Sequence, residues 1–228
     1  MNIQKLKNII EKQKKREREL YIQAETTRNY DTYRRMQNAG DLLNKLIGLE
    51  YRTSFVPPRY YTATIETYKP APEDVTAFEV IKEYVKDIKN NLKEGSGLFI
   101  SGTNGNGKTH LMYSILKEAA KRKYNAAVYD FATLKNINFE QRDGIIENVK
   151  RLDIIGIDDI RTQAANEYAQ ELFFAIINAA WNNQTAVIIT SNLTGKGFAD
   201  TFGGSVYSRM AGMTKPVVFT GKDERRGV

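Results

Sequence analysis

The sequence contains no cysteine and a single histidine, His110. The absence of thiols excludes disulfides, a thiol nucleophile and Cys-ligated zinc, and one imidazole cannot build a His-rich metal centre. The metal chemistry left open is oxygen ligation, which suits Mg²⁺. No apolar run approaches the roughly 20 residues that cross a bilayer. Residues 1–20 are rich in Lys and Glu and lack the apolar stretch of a secretory signal. A soluble, cytoplasmic protein is therefore expected. Proline is scarce too, and four of its five occurrences (Pro57, Pro58, Pro70, Pro72) crowd into one short segment. With 228 residues, 41% of them apolar and 27% charged, the chain has what an ordered domain needs to bury a core.

The net charge of +7 is unevenly spread. Residues 1–60 hold 13 Lys/Arg against 7 Asp/Glu, whereas residues 61–228 hold 21 against 20. Two readings stay open: an acidic or nucleic-acid partner for the front of the chain, or a basic helix that is simply solvated.

Residues 2–25 have helix-forming composition without Gly or Pro, and Ile3, Leu6 and Ile10 make a short apolar stripe. Thr26–Asn29 is the expected break, with Asn29 as a cap. A second helix is expected over 30–47, ended by Gly48. Such a pair is marginal alone. The organisation expected is a helical N-terminal partner-binding region over 1–52, a Pro/Tyr-rich linker over 53–72 and a larger domain over 73–228. In that larger domain the pattern alternates. Helices are expected near 73–93, 108–123, 131–137, 143–150, 165–182 and 204–211. Short apolar strands are expected at 97–101, 126–130, 153–158, 186–190 and 216–220. Five strands separated by helices give an α/β fold with a mainly parallel sheet.

Gly102-Thr103-Asn104-Gly105-Asn106-Gly107-Lys108-Thr109 follows the first strand and opens a helix. This is the G-x-x-x-x-G-K-[ST] phosphate loop in the context it requires. Its glycines let backbone N–H groups close on phosphate oxygens, the helix N-terminus adds its dipole, Lys108 serves the β/γ-phosphates and Thr109 offers a hydroxyl to Mg²⁺. A chance match in a chain of this length is expected about once in 100 sequences, from average composition. His110 reads as an ordinary first-turn helix residue.

The third strand ends in Asp158-Asp159, which places two acids at the carboxyl edge of the sheet beside the phosphate loop. Asp158 is the candidate for Mg²⁺ and Asp159 for polarising the attacking water; a pair of turn acids is the plainer alternative. The fourth strand ends in Ser191-Asn192, where Asn192 can reach the γ-phosphate or water, or simply serve a turn. Arg209, in the last helix, suits a γ-phosphate on a neighbouring subunit, or a surface ion pair.

These segments, with Val56-Pro57-Pro58-Arg59-Tyr60, Thr190-Ser191-Asn192-Leu193, Ser208-Arg209-Met210 and the closing Gly221-Lys222-Asp223-Glu224-Arg225-Arg226, together resemble DnaC/DnaI-type replicative helicase loaders of the AAA+ superfamily. IstB transposition ATPases are near relatives. The resemblance covers about residues 55–228. It implies a P-loop NTPase of AAA+ type with a five-stranded sheet flanked by helices, preceded by a small all-α domain. Lys108 and Thr109 would form the Walker A pair and Asp158 and Asp159 the Walker B pair. Asn192 would be sensor 1, on a strand between the Walker strands, and Arg209 an arginine finger acting in trans. It further implies ATP and Mg²⁺ as cofactors and ATP hydrolysis. The implied partners are single-stranded DNA, a hexameric replicative helicase gripped by the N-terminal region, and further copies of the chain through the ATPase domain.

The sequence departs from this pattern in three ways. Asp159 stands where many AAA+ proteins have Glu, so slow, assembly-stimulated hydrolysis is expected. Some relatives carry a Cys-rich zinc module in front, so the handle here is expected to be all-helical. With eight residues after Thr220, no C-terminal lid is expected. An IstB-like transposition helper and a nucleotide-binding adaptor with little turnover remain alternatives. Beyond residue 60 the near-neutral charge leaves DNA contact to local residues such as Lys135, Arg161 and Lys196.

Overall fold

A computed structural model of the chain describes residues 3–27, 32, 34–40, 42, 43, 52–134, 136–161 and 167–221. The chain divides into two compact units, Met1–Thr62 and Ala63–Val228.

In the first unit, α1 (Ile3–Thr27) buries its apolar stripe as expected: Leu6 and Ile10 cluster with Leu43. Gln13 Nε2 donates to the carbonyl of Ala39, and residues 34–40 are helical. The expected cap Asn29, the stop at Gly48, and Tyr33, Leu46 and Ile47 of the second helix lie outside the described residues.

The second unit is a five-stranded sheet in the order β2-β3-β4-β1-β5, with every neighbouring pair parallel. The strands are β1 (Gly97–Gly102), β2 (Ala126–Asp130), β3 (Ile154–Ile160), β4 (Ala186–Ser191) and β5 (Thr214–Phe219). β1, β3 and β4 are central and almost wholly buried, so their sequences run apolar without alternation. β5 is an edge strand, which is why it tolerates Pro216. As the resemblance implies, β4 lies between β1, which leads into the phosphate loop, and β3, which carries the two acids.

The helices of this unit are α2 (Val75–Lys86), α3 (Ile88–Lys93), α4 (Lys108–Lys121), α5 (Phe131–Leu134), α6 (Phe139–Val149), α7 (Glu167–Asn183), α8 (Gly195–Phe202) and α9 (Gly204–Met213). The helix expected over 73–93 is broken at Asp87, whose φ of −100° and ψ of 27° leave the helical region. Its first residues, Pro72–Asp74, form a 3₁₀ turn instead. α8 has no counterpart in the sequence reading because it opens Gly-Lys-Gly, a poor helix former. Tertiary packing overrides that propensity. Phe198 and Phe202 sit one turn apart with centroids 4.6 Å apart, and Phe173 of α7 lies 5.7 Å and 4.9 Å from them. Thr194 caps the helix by accepting from Gly197 N–H. Each such ring, fully buried, contributes on the order of 2–3 kcal/mol.

Candidate functional site

Because all five strands are parallel, their carboxyl ends share one edge. Ser101 pairs with Ser191 across β1 and β4, and Asp130 with Asp158 across β2 and β3. The loop Gly102–Thr109 leaves β1 at this edge and enters α4 through Gly107, which has φ +80°. A side chain at Gly107 would meet the Tyr68 ring at 2.5 Å. Gly102, at φ +143°, would collide with the Phe219 carbonyl. Both positions therefore require glycine, for backbone conformation and for close approach.

Lys108 is buried, and its ammonium donates to the carbonyls of Gly102 (3.0 Å) and Thr103 (2.5 Å) and to Asn106 Oδ1 (3.1 Å). Thr109 Oγ1 donates to Asp158 Oδ1 at 2.9 Å. Asn192 Nδ2 donates to Asn104 Oδ1 at 2.7 Å, tying the end of β4 to the loop. Lys108, Thr109, Asp158, Asn192 and the loop itself are thus brought together. Burial raises the Asp158 carboxyl above the usual carboxylate range; hydrogen bonds from Thr190 and Thr109 oppose that rise, and the charges of Asp159 and Asp130 add to it.

Asp159 sits beside Asp158, but its carboxylate is engaged outward, 2.7 Å from Arg161 Nε and 2.6 Å from Nη2. Arg209 is not part of the cluster. It is half-buried on α9, where Nη1 donates to its own helix at Ser205 O (3.2 Å) and the guanidinium lies 5.6 Å over the Phe174 ring. His110 packs as expected, its ring 3.0 Å from the Thr64 carbonyl. Of the residues considered for DNA contact, Arg161 is paired with Asp159, Lys196 is exposed on α8, and Lys135 lies outside the described residues. So do residues 222–226 of the closing segment.

Two supporting residues, Tyr68 and Asp74, stand outside the sequence motifs, and a third, Thr190, belongs to them only as part of the segment Thr190–Leu193. Tyr68 donates its hydroxyl to the Asn106 carbonyl (2.7 Å) and packs against Phe78, His110 and Phe219. Asp74, 1% exposed, accepts N–H bonds from Thr220 (2.7 Å) and Gly221 (3.1 Å). Thr190 donates to Asp158 Oδ1 at 2.5 Å and accepts from Asp159 N–H at 2.8 Å. Hydroxyls at the end of an apolar strand, and an acid just before a helix, are signals common to many proteins, and neither is specific.

Among the described residues no three His, Cys, Asp or Glu side chains converge to hold a metal. Thr109 and Asp158 do offer adjacent hard oxygens. That donor set fits Mg²⁺, which takes one or two protein oxygens and completes its shell with phosphate and water.

The profile of the bacterial DnaA ATPase domain matches residues 62–212, well over half of the chain. The chain belongs to the bacterial DnaA ATPase-domain family. Its relatives in that family include the chromosomal replication initiator protein DnaA of Geotalea daltonii, 30% identical over 102 residues, which are 42% of this chain and 23% of that protein. DnaA of Aquifex aeolicus is 27% identical over 143 residues, 60% of this chain and 34% of that protein. The chain therefore covers only about a quarter to a third of the length of these relatives. Among solved structures, a DnaC helicase loader superposes with a TM-score of 0.63 at 27% identity, over 72% of this chain and 99% of that one. DnaI gives 0.62 at 20% identity, over 73% and 95%. A DnaA bound to AMPPCP and single-stranded DNA gives 0.60 at 24% identity, over 75% and 53%. The last two bear on fold alone. The AAA+ fold and the resemblance to DnaC/DnaI-type replication proteins are borne out.

Proposed function

We propose that this DnaA-family ATPase domain serves an ATP-dependent loader that places a hexameric replicative helicase on single-stranded DNA during replication initiation. The observation that carries the proposal is the convergence of Lys108, Thr109, Asp158 and Asn192 around one phosphate loop. It is supported by likeness to a DnaC helicase loader at 27% identity over 99% of that structure.

The backbone of Gly102–Gly107 cradles the phosphates of ATP. Lys108 exchanges its carbonyl partners for β/γ-phosphate oxygens. Thr109 and Asp158 would hold Mg²⁺, which would supply charge neutralisation at the phosphates. Asn192 orients the γ-phosphate or the attacking water. Asp159 polarises that water, with a shorter reach than Glu and hence slow turnover to ADP and phosphate. Arg209 acts on the nucleotide of a neighbouring subunit, so assembly stimulates hydrolysis. The basic N-terminal region, residues 1–52, binds the helicase.

The test is a loading assay with the full chain, a hexameric helicase and a single-stranded circle, in which helicase retained on DNA after gel filtration is measured. ATP-dependent retention is expected. Retention unchanged by the protein, together with capture of a transposase instead of a helicase, would favour the transposition-helper alternative.

A further inference from the structure

In a regular strand, successive side chains point to opposite faces. Asp158 and Asp159 are consecutive, yet the proposed chemistry assigns both to one nucleotide. The register of β3 against β4 is irregular at these two acids. Ile157 pairs with Ile189 and Ile160 with Ser191, so three steps on β3 face two on β4. The extra residue makes a β-bulge, where Asp159 takes φ +59°, in the left-handed region that Asp tolerates better than most side chains.

A bulge leaves a ladder N–H without its strand partner, and a buried N–H needs an acceptor. Here the acceptor is Thr190 Oγ1, 2.8 Å from Asp159 N. That same hydroxyl spends its one proton on Asp158 Oδ1, 2.5 Å away. Thr190 is 1% exposed, so water does not substitute for it. The hydrogen-bond polarity is thereby fixed: Asp159 N–H to Thr190, Thr190 O–H to Asp158. Thr109 donates to the same Asp158 oxygen, so the two hydroxyls hold that carboxylate from β4 and from α4.

We infer that Thr190 is a positioning residue of the ATPase site. Its hydroxyl closes the bulge that lets adjacent acids take different tasks, orienting Asp158 through the side chain and Asp159 through the backbone. The inference rests on the ATPase reading above. Thr190 itself touches no reacting atom.

The test uses the full chain with Thr190→Val, which keeps the shape and removes the hydroxyl, and Thr190→Ser, which keeps the hydroxyl and removes a methyl. Binding of a fluorescent ADP analogue is followed with and without Mg²⁺, and ATP turnover is measured beside it. For Thr190→Val, Mg²⁺-free binding should stay within about twofold. The Mg²⁺ concentration for half-maximal stimulation should rise about tenfold and kcat fall about 10–100-fold at near-constant KM, the range typical when a partner of a metal ligand is lost. Thr190→Ser should restore both to within about threefold. Should the Val variant not fold, Thr190→Cys, a weak donor of similar size, should show an intermediate loss. Wild-type behaviour of the Val or Cys variant, or equal damage in Val and Ser, overturns the inference while leaving the ATPase reading intact. A wild-type protein that binds no nucleotide overturns both.

Discussion

The phosphate loop and Arg209 are two parts of one proposed machine, and the fold treats them oppositely. Around the loop, side chains from β3, β4 and α4 turn inward and are hydrogen-bonded to one another. Arg209 instead contacts a carbonyl of its own helix and an aromatic ring of α7. A group that converges is set up to hold something within the chain. A group the fold leaves at the surface acts only on what comes to it, and the two should therefore fail in different ways.

The contrast is broken most directly at Arg209. Arg209→Ala should lower turnover about 1,000-fold at protein concentrations that permit assembly, the lower end of what arginine fingers contribute. Nucleotide affinity should be unchanged, and in dilute solution the variant and wild type should hydrolyse alike. Equal rates at every concentration would return Arg209 to the role of a surface residue. Lys108→Ala should weaken ATP binding about 100-fold, the loss expected when a charge-assisted contact to phosphate disappears, and isothermal calorimetry at any concentration should show it. Asn192→Ala should reduce single-turnover hydrolysis about tenfold to 100-fold with little change in affinity, as when one aligned donor is removed from a transition-state oxygen.

The smallest effect concerns a buried charge outside the cluster. Lys117, on the same helix as Lys108, is buried and donates to the Ala63 carbonyl. Burial, helped by the charge of Lys121, pulls its ammonium down to about 8 from the ordinary 10.5. Between those two values the unfolded chain holds the extra proton, so stability should rise as pH increases through this window. The bond to Ala63 favours the charged form and limits that gain. Thr109, Asp158 and Asn192 contribute nothing to that slope, so Lys117→Met should flatten it in urea titrations without touching nucleotide affinity.

Much of this was legible from residues alone. The phosphate loop reads directly because its spacing is dictated by the backbone path around phosphate. The sheet reads because central parallel strands must be apolar on both faces, as Ile154–Ile157 and Ala186–Ile189 are. Boundaries shifted where side chains rather than propensities decide. Asp74 turns in to bind Thr220 and Gly221, which makes the start of the helix a 3₁₀ turn, and paired phenylalanines hold α8 despite its glycines. The strand end Thr190-Ser191-Asn192 is legible as a segment, but the task of Thr190 is not, because it depends on a register shift between two strands, and no single strand's sequence carries that information.

The exit of the chain from β5 has a consequence of its own. Thr103 is hooked to the carbonyl of Gly221, Asn106 to that of Phe219, and Asp74 pins the same turn from beneath. The floor of the phosphate loop is therefore a seam where the last strand leaves the sheet. Side chains there perform no chemistry, yet a bulky replacement at Gly221, which would press on Asp74, would tilt that floor. A lesion more than a hundred positions downstream in the chain would be registered as a change in how the loop grips its guest.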